Sequence, residues 1–335
     1  MERSPSAEEF PVESELRFGA GDDQLHPWTH HADWAETVWF SFNAPERGLA
    51  GWLYTQVRPV LGTATGGAFV YDPSAHVPWE LPYFAYTHHQ LLPVPAEELN
   101  LADVHFKNGC SIKMVEPGLV YDLGFRFRDQ SDFVATLRFE GLTPPVPHLQ
   151  GAPPFTGSTH YDQHGHVTGE ILLGGERIAI DCFAVRDRSW GRRPEHLGLG
   201  VSRLSYAFGT FTPDDAFLAF CIPDNEDQDS FEESLSSGYL LRDGKLRRLR
   251  TARRHTERDQ DTGGLARLEL ELEDLDGRTL SVIGTMASQM FLTTGGLCIN
   301  TFLRFEAPDL GVGWGEDQDV FSTARFAALR RSGLA

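Results

Sequence analysis

Leu204 to Ile222 reads LSYAFGTFTPDDAFLAFCI. Two apolar, aromatic-rich runs flank Thr212-Pro213-Asp214-Asp215, where proline presets φ and aspartate side chains bond to nearby backbone, so the stretch predicts strand, tight turn, strand. The same unit recurs on both sides of it. Gly157 to Ala184 is a hairpin broken by Gly174-Gly175, Leu265 to Met290 is a pair of strands around Asp276-Gly277, and Arg242 to Arg258 straddles Asp243-Gly244. In the N-terminal half, Val38, Phe40 and Phe42 alternate with Trp39 and Ser41, and Phe133, Ala135, Leu137 and Phe139 alternate with polar residues, which is the period of a half-buried strand. Helical periodicity is confined to short pieces, Ala96 to Leu101 and Ser322 to Arg331.

Successive hairpins without long helices predict an all-β protein, an antiparallel meander whose edges are removed by closing the sheet. At 335 residues the chain is long for one core and comfortable for two. The run LTPPVPHLQGAPPF, Leu142 to Phe155, holds five prolines and is the expected seam. This gives an N-terminal extension (1–27), a first β-barrel (28–150) and a second β-barrel (151–335) carrying the segment Asp187-Arg188-Ser189-Trp190-Gly191. A barrel of about eight strands encloses room for one small ligand, so the lumen is the default site.

Acidic residues outnumber basic ones 48 to 29, for a formal charge of -19, which repels phosphate backbones and argues against nucleic acid as a partner. The basic cluster Arg242 to Arg258 reads as a solvated hairpin face. Cys110, Cys182, Cys221 and Cys298 stand singly in apolar stretches, which predicts buried, reduced thiols and no zinc site of the usual spacing. Met1 to Phe18 lacks a hydrophobic signal core, and nowhere do about 18 apolar residues run on, so a cytoplasmic protein without a membrane span is expected.

The most unusual segment is VRDRSWGRR, Val185 to Arg193, which follows an apolar strand. Asp187 beside an apolar lumen would have a raised pKa and donate a proton; paired with Arg188 or Arg192 it would stay ionised and pin a strand end, with Trp190 plugging the barrel floor. The residues leave both open.

The order Arg-Asp-Arg-Ser-Trp-Gly-Arg-Arg, with Gly313-Trp314-Gly315-Glu316-Asp317-Gln318 downstream, resembles bacterial proteins grouped near the carotenoid 1,2-hydratases, or hydroxyneurosporene synthases, and the AttH-like proteins. That resemblance covers roughly Trp28 to Gln318 and implies two consecutive lipocalin-like, or calycin, β-barrels. In the hydratases the segment reads Asp-His-Asn-Trp-Gly, and its His and Trp are associated with acid-catalysed addition of water to an isoprenoid double bond. Carried over, Asp falls on Asp187, Trp on Trp190 and Gly on Gly191, but His falls on Arg188. A guanidinium does not give up its proton, so related chemistry needs Asp187 or another residue as the acid, with Arg188 left to bind a substrate oxygen.

Aromatic faces stabilise a developing cation. Trp34, Trp39, Tyr86 and Trp314, with Arg192, are the expected ligand-binding residues, although β domains place aromatics in their cores in any case. His88 and His89 are adjacent on a strand and face opposite ways, so one of them, taken as His88, is a candidate interior acid or base. His160, His164 and His166 follow the seam, without metal-ligand spacing. Gly311 to Gln318 lacks the Lys and Ser or Thr of a phosphate loop and reads as a bent, glycine-eased barrel strand carrying Glu316 or Asp317 inwards. With no Gly-x-Ser-x-Gly elbow and no reactive-cysteine signature, a covalent intermediate is disfavoured.

Two classes of function follow. One is a lyase, hydratase or dehydratase, or an isomerase, that needs no cofactor and uses acid-base chemistry on an apolar isoprenoid-like or polyketide-like small molecule; the other is a non-catalytic carrier of such a ligand. The oligomeric state is open.

Overall fold

The structure is a computed structural model that describes residues 18, 20–128, 132–148, 155, 157–193, 203–223, 233–293 and 296–333. Most of the expected N-terminal extension and part of the proline-rich run lie outside the described residues. The protein is all-β, with two bodies of the calycin type. The first contains β1 (Trp34–Ala44), β2 (Leu49–Arg58), β3 (Thr63–Tyr71), β4 (Tyr83–Leu91), β5 (Asp103–His105), β6 (Cys110–Glu116), β7 (Val120–Arg126), β8 (Phe133–Gly141), β9 (Val146–Pro147), β10 (Ser158–Leu173) and β11 (Glu176–Arg192). They form one sheet of order β4-β3-β2-β1-β11-β10-β8-β7-β6-β5, with β9 added to β10. It is curled around a core that includes Phe40, Phe42, Tyr121, Phe125 and Phe139.

The second body is a closed antiparallel barrel of β12 (Arg203–Thr212), β13 (Asp215–Pro223), β14 (Glu233–Arg242), β15 (Lys245–Arg258), β16 (Leu265–Asp274), β17 (Thr279–Thr293), β18 (Leu297–Ala307) and β19 (Gly311–Phe321). Each expected hairpin of this half is present, because alternation and turn residues act locally. Helix α1 (Thr323–Ser332) follows, capped by the Ser322 side chain. The stretch at Ala96 makes only a short 3-10 turn, Ala96–Glu98. No helix among the described residues is long and apolar enough to cross a membrane.

Three expectations change. The first sheet does not close, since its strand order ends at β4 and β5. Its edges are blunted instead: β5 is three residues long, and β4 carries a bulge at His89, whose φ is 53°. The prolines mark no boundary between the bodies. They connect β8 to β10, which are already paired neighbours, so the change of body falls between Arg192 and Arg203 and the Asp187 segment belongs to the first sheet. Finally, the barrel lumen is filled. Phe217, Leu240, Leu268, Leu270, Leu303 and Phe305 pack inside it. It also holds an ion network, in which Arg254 reaches Glu233 at 2.5 Å and Asp317 at 2.6 Å, and Arg203 and Arg258 reach Asp319. Arg254 is therefore fully buried, unlike the solvated hairpin face expected for the basic cluster.

The four cysteines are buried and free. The barrel closes where its first and last strands, β12 and β19, pair, and Gly315 makes that approach possible: a Cβ there would lie 1.9 Å from the Phe208 carbonyl oxygen. Gly315→Ala is expected to lower stability by about 1–3 kcal/mol, the usual cost of forced overpacking, read as a lower urea midpoint at unchanged slope.

Candidate functional site

From Phe183 to Gly191 β11 is covered on both sides, and its regular pairing with β1 and β10 keeps a strict alternation. Arg186, Arg188 and Trp190 face the core of the first sheet; Val185, Asp187 and Ser189 face the barrel. Asp187 and Trp190 therefore lie on opposite faces and do not meet. Trp190 stacks on His26, with centroids 3.6 Å apart. Arg188 pairs with Glu36 at 3.1 Å and donates to the Gln24 and Thr37 carbonyl oxygens. Arg186 pairs with Asp23 at 2.7 Å and lies over the Tyr121 ring. Gly191 holds φ 138°, and a Cβ there would stand 2.6 Å from the Gly157 carbonyl oxygen, so the Gly of the segment serves strand pairing. Arg192 is on the surface, forked onto Asp33. Trp34 donates towards Glu36 at 3.4 Å on the same face as Arg188. His88 is exposed on the edge strand, edge-on to Tyr86.

The barrel-facing side of the sheet is built in rows across the strands. One row runs Tyr86, Gly67, Tyr54, Trp39, Asp187, Asp162 and Val146, each paired in register with the next. Against it packs the outer face of β12 to β14. Trp39 lies 6.0 Å from Phe208 and 6.2 Å from Tyr206, and Tyr206 stacks on Phe220 at 4.5 Å, centroid to centroid. Tyr86 and Trp314 pack at the margin of this aromatic layer, with Tyr86 on Phe69 and Trp314 on Phe302.

Polar groups are sealed into that layer. Asp162 accepts the Tyr206 hydroxyl at 2.6 Å, and its other oxygen lies 2.5 Å from His148 Nε2 and 3.0 Å from His160 Nε2. Burial opposes its ionisation, but the two imidazoles outweigh this and hold its carboxyl below the usual range. An ionised carboxylate only accepts, so both Nε2 atoms carry protons. Burial pushes His148 down to about 4, so this imidazole is neutral and its Nδ1 accepts the Ser237 hydroxyl at 2.7 Å. For His160 burial also works against the charge, yet Asp162 raises its pKa, and its Nδ1 is buried without a hydrogen-bond partner.

Asp187 is the counterpart. It is beside Asp162 in register, its Oδ1 is buried without a partner, and burial pushes it up to about 6, with His160 pulling the other way and Asp162 adding to the rise. Trp39 Nε1 and the Tyr239 hydroxyl, in the same layer, are also buried and unpaired. Two adjacent carboxyls are thus driven apart, one held ionised and the other keeping its proton up to about pH 6.

Glu316 also belongs to this layer, while Asp317 points into the barrel lumen. Burial raises Glu316 to about 7, and Asn300, Trp52 and Tyr71 pull it back. Asp162, His148, Tyr206, Ser237 and Tyr239 are site residues that sequence reasoning did not single out. A signal existed for part of them: in His160-Tyr161-Asp162-Gln163-His164 the period of two puts both histidines on the face of the aspartate. His148, His160 and Asp162 also have donor atoms within 4.8 Å of one another, enough for a divalent ion. Tetrahedral zinc ligands would stand about 3.3 Å apart, however, and contacts of 2.5 and 3.0 Å to one oxygen are hydrogen bonds.

Fold and site together define a two-body calycin-like β protein whose buried acid-base groups sit between the bodies. Residues 19–320 match the family described as "Domain of unknown function (DUF7064)", and the chain belongs to that family. No curated protein sequence matches it. Among solved structures it is similar to a putative AttH from Nitrosomonas europaea, with 16% identity, 93% of this chain and 99% of that one covered, and a TM-score of 0.51. It is also similar to kievitone hydratase from Nectria haematococca, at 13% identity, 96% coverage of each chain and a TM-score of 0.52. A third is CghA with Sch210972, at 13% identity, 87% and 89% coverage and a TM-score of 0.54.

Because the folded-state pKa of Asp187 lies above its unfolded value, its ionisation works against the fold. That cost is absent below about pH 4, grows through pH 6 and is constant above. Asp187→Asn is therefore expected to be more stable than the parent protein at pH 7.5, by about 1–3 kcal/mol, and to lose this advantage towards pH 4. Urea unfolding at both pH values reads the difference.

Proposed function

We propose that the protein is an acid-base enzyme of the hydratase, dehydratase or isomerase type, acting between the two bodies on an apolar isoprenoid-like or polyketide-like molecule. The observation that carries this reading is the split pair, Asp162 held ionised beside Asp187 raised to about 6, in an aromatic layer with unpaired polar groups. The hydratase among the structural relatives supports the same class.

In the hydration direction the Asp187 O–H bond breaks and its proton forms a C–H bond at one carbon of the double bond, leaving a cation at the other. Trp39, paired across the sheet with Asp187, and Tyr206, packed edge-on to it, supply the aromatic surface beside that cation, where an aromatic face contributes about 2 kcal/mol or more once water is excluded. A water oxygen then bonds to the cation, and the resulting oxonium returns a proton to the Asp187 carboxylate. The His160 imidazolium, held by Asp162, offers Nδ1–H to the oxygen that arrives or leaves. Dehydration is the reverse, and isomerisation follows when the cation loses a different proton. Arg188, on the other face of β11, takes no part.

The test incubates the protein with a panel of prenylated and polyketide alkenes and their hydrates in deuterated and oxygen-18 water, followed by mass spectrometry. Incorporation that falls at least about 100-fold in Asp187→Asn, within the range of general-acid contributions, is expected. Its rate should decline above pH 6, as the acid form is lost. Incorporation unchanged in a folded Asp187→Asn protein, or binding of panel members with no exchange in any, would remove the catalytic reading and leave a carrier.

A further inference from the structure

We infer that Glu316 and Asn300 form a second polar anchor in the inter-body layer, and that the group it takes is a hydroxyl on an aromatic or apolar ligand. This rests on the inter-body reading above but concerns different residues from those assigned to the chemistry.

The anchor is assembled from both bodies. Trp52 of β2 donates its Nε1–H to Glu316 Oε2 at 2.7 Å, and Asn300 of β18 donates Nδ2–H to the same oxygen at 2.8 Å. Asn300 Nδ2 also donates to the Tyr71 hydroxyl of β3 at 2.5 Å. Glu316 is 1% exposed and Asn300 is fully buried. The Trp52 and Asn300 donors are thus aimed at one carboxylate oxygen and one phenol oxygen, and the Tyr71 hydroxyl hydrogen-bonds to Glu316 in turn. Two acceptor-capable atoms remain, Glu316 Oε1 and Asn300 Oδ1, both buried without a partner. Buried polar atoms in native folds are paired in the large majority, so these two acceptors call for a donor from outside the side chains that line them.

Their chemistry selects the partner. Asn300 Oδ1 can only accept, so the arriving group must bring a proton. Glu316, a carboxyl whose ionisation is opposed by burial, carries a proton of its own on the free oxygen in its neutral form and needs an acceptor there. A hydroxyl has one proton and two lone pairs and meets both demands; a ketone or ether oxygen brings no proton, and an ammonium brings no lone pair.

The position suits a ligand that also reaches Asp187. Trp52 lies edge-on to Trp39 with centroids 5.3 Å apart, and Trp39 pairs across the sheet with Asp187. The two indoles therefore form an apolar wall with Asp187 at one end and the Glu316 anchor at the other. A molecule whose reacting carbon skeleton lies along this wall and whose hydroxyl stands beyond it would satisfy both ends.

The experiment measures binding of 4-propylphenol and of its deoxy counterpart propylbenzene to the full chain at pH 7 by calorimetry. The phenol should bind at least tenfold more tightly. Asn300→Leu should reduce that ratio to less than about threefold, whereas Glu316→Gln should keep it, because the amide NH2 of glutamine at the free position still donates to a hydroxyl. Equal affinities in the parent protein, or an undiminished ratio in Asn300→Leu, would overturn the anchor; Glu316→Leu, which removes the other half, replaces that variant should it fail to fold. Binding of propylbenzene without any gain for the phenol sinks the anchor alone. Failure of both probes to bind would sink the inter-body site and the anchor with it.

Discussion

A strand segment buried on both faces has to solve two packing problems with one alternating sequence, and β11 from Phe183 to Gly191 is that segment here. Its even-numbered residues Arg186 and Arg188 enter the core of the first sheet, where a buried charge is tolerable only with a partner. Asp23 and Glu36 supply the partners, and Tyr121 and Tyr161 complete the coordination of Asp23. These ion pairs bind the short 3-10 turn Ala20–Asp23 and the start of β1 to the middle of the sheet. The odd-numbered residues are left free to face the barrel. Asp187 stands there without a matching guanidinium because Arg186 and Arg188 point the other way, and Arg193, on the barrel side, bonds to Ser189 instead.

On the barrel side, electrostatics separates two carboxyls that share a row. Asp162 receives a phenol and two imidazole protons, while Asp187, one strand away, has an oxygen with no donor at all. Equal burial would raise both; the donors decide which one ionises. The result is an acid beside a fixed anion, with the His160 imidazole bonded to that anion. A barrel lumen could have provided the same dryness, but the second lumen is occupied by aliphatic and aromatic side chains and by the arginine-carboxylate network around Arg254. The seam between the bodies is where aromatic surface and unpaired polar atoms coincide.

The glycines at 315 and 191 show how closely the backbones approach to make this arrangement. Each lets a strand pass within a distance that a Cβ would forbid, one to close the barrel and one to seat β10 on β11. The exchange of His for Arg at position 188, relative to the hydratases, has a similarly local explanation. That position faces the core of the first sheet, so the residue there serves the fold and is remote from Asp187 by the thickness of the sheet.

Strands, hairpin turns and the last helix were legible because each depends on residues adjacent in sequence: alternation at Val38 to Phe42, turn residues at Pro213 and Gly277, helical periodicity over Ser322 to Arg331. The parity of β11 was legible too, since 187 and 190 cannot share a face of a regular strand. What the sequence by itself determined is therefore an all-β chain of hairpins and the sidedness of each strand. Only the tertiary structure decided that β1 pairs with β11, about 150 residues away, that the prolines lie inside one sheet, and that His148, Asp162, Asp187 and Tyr206 converge. Pairings and contacts of that span are chosen by the burial they achieve together, which no local pattern records.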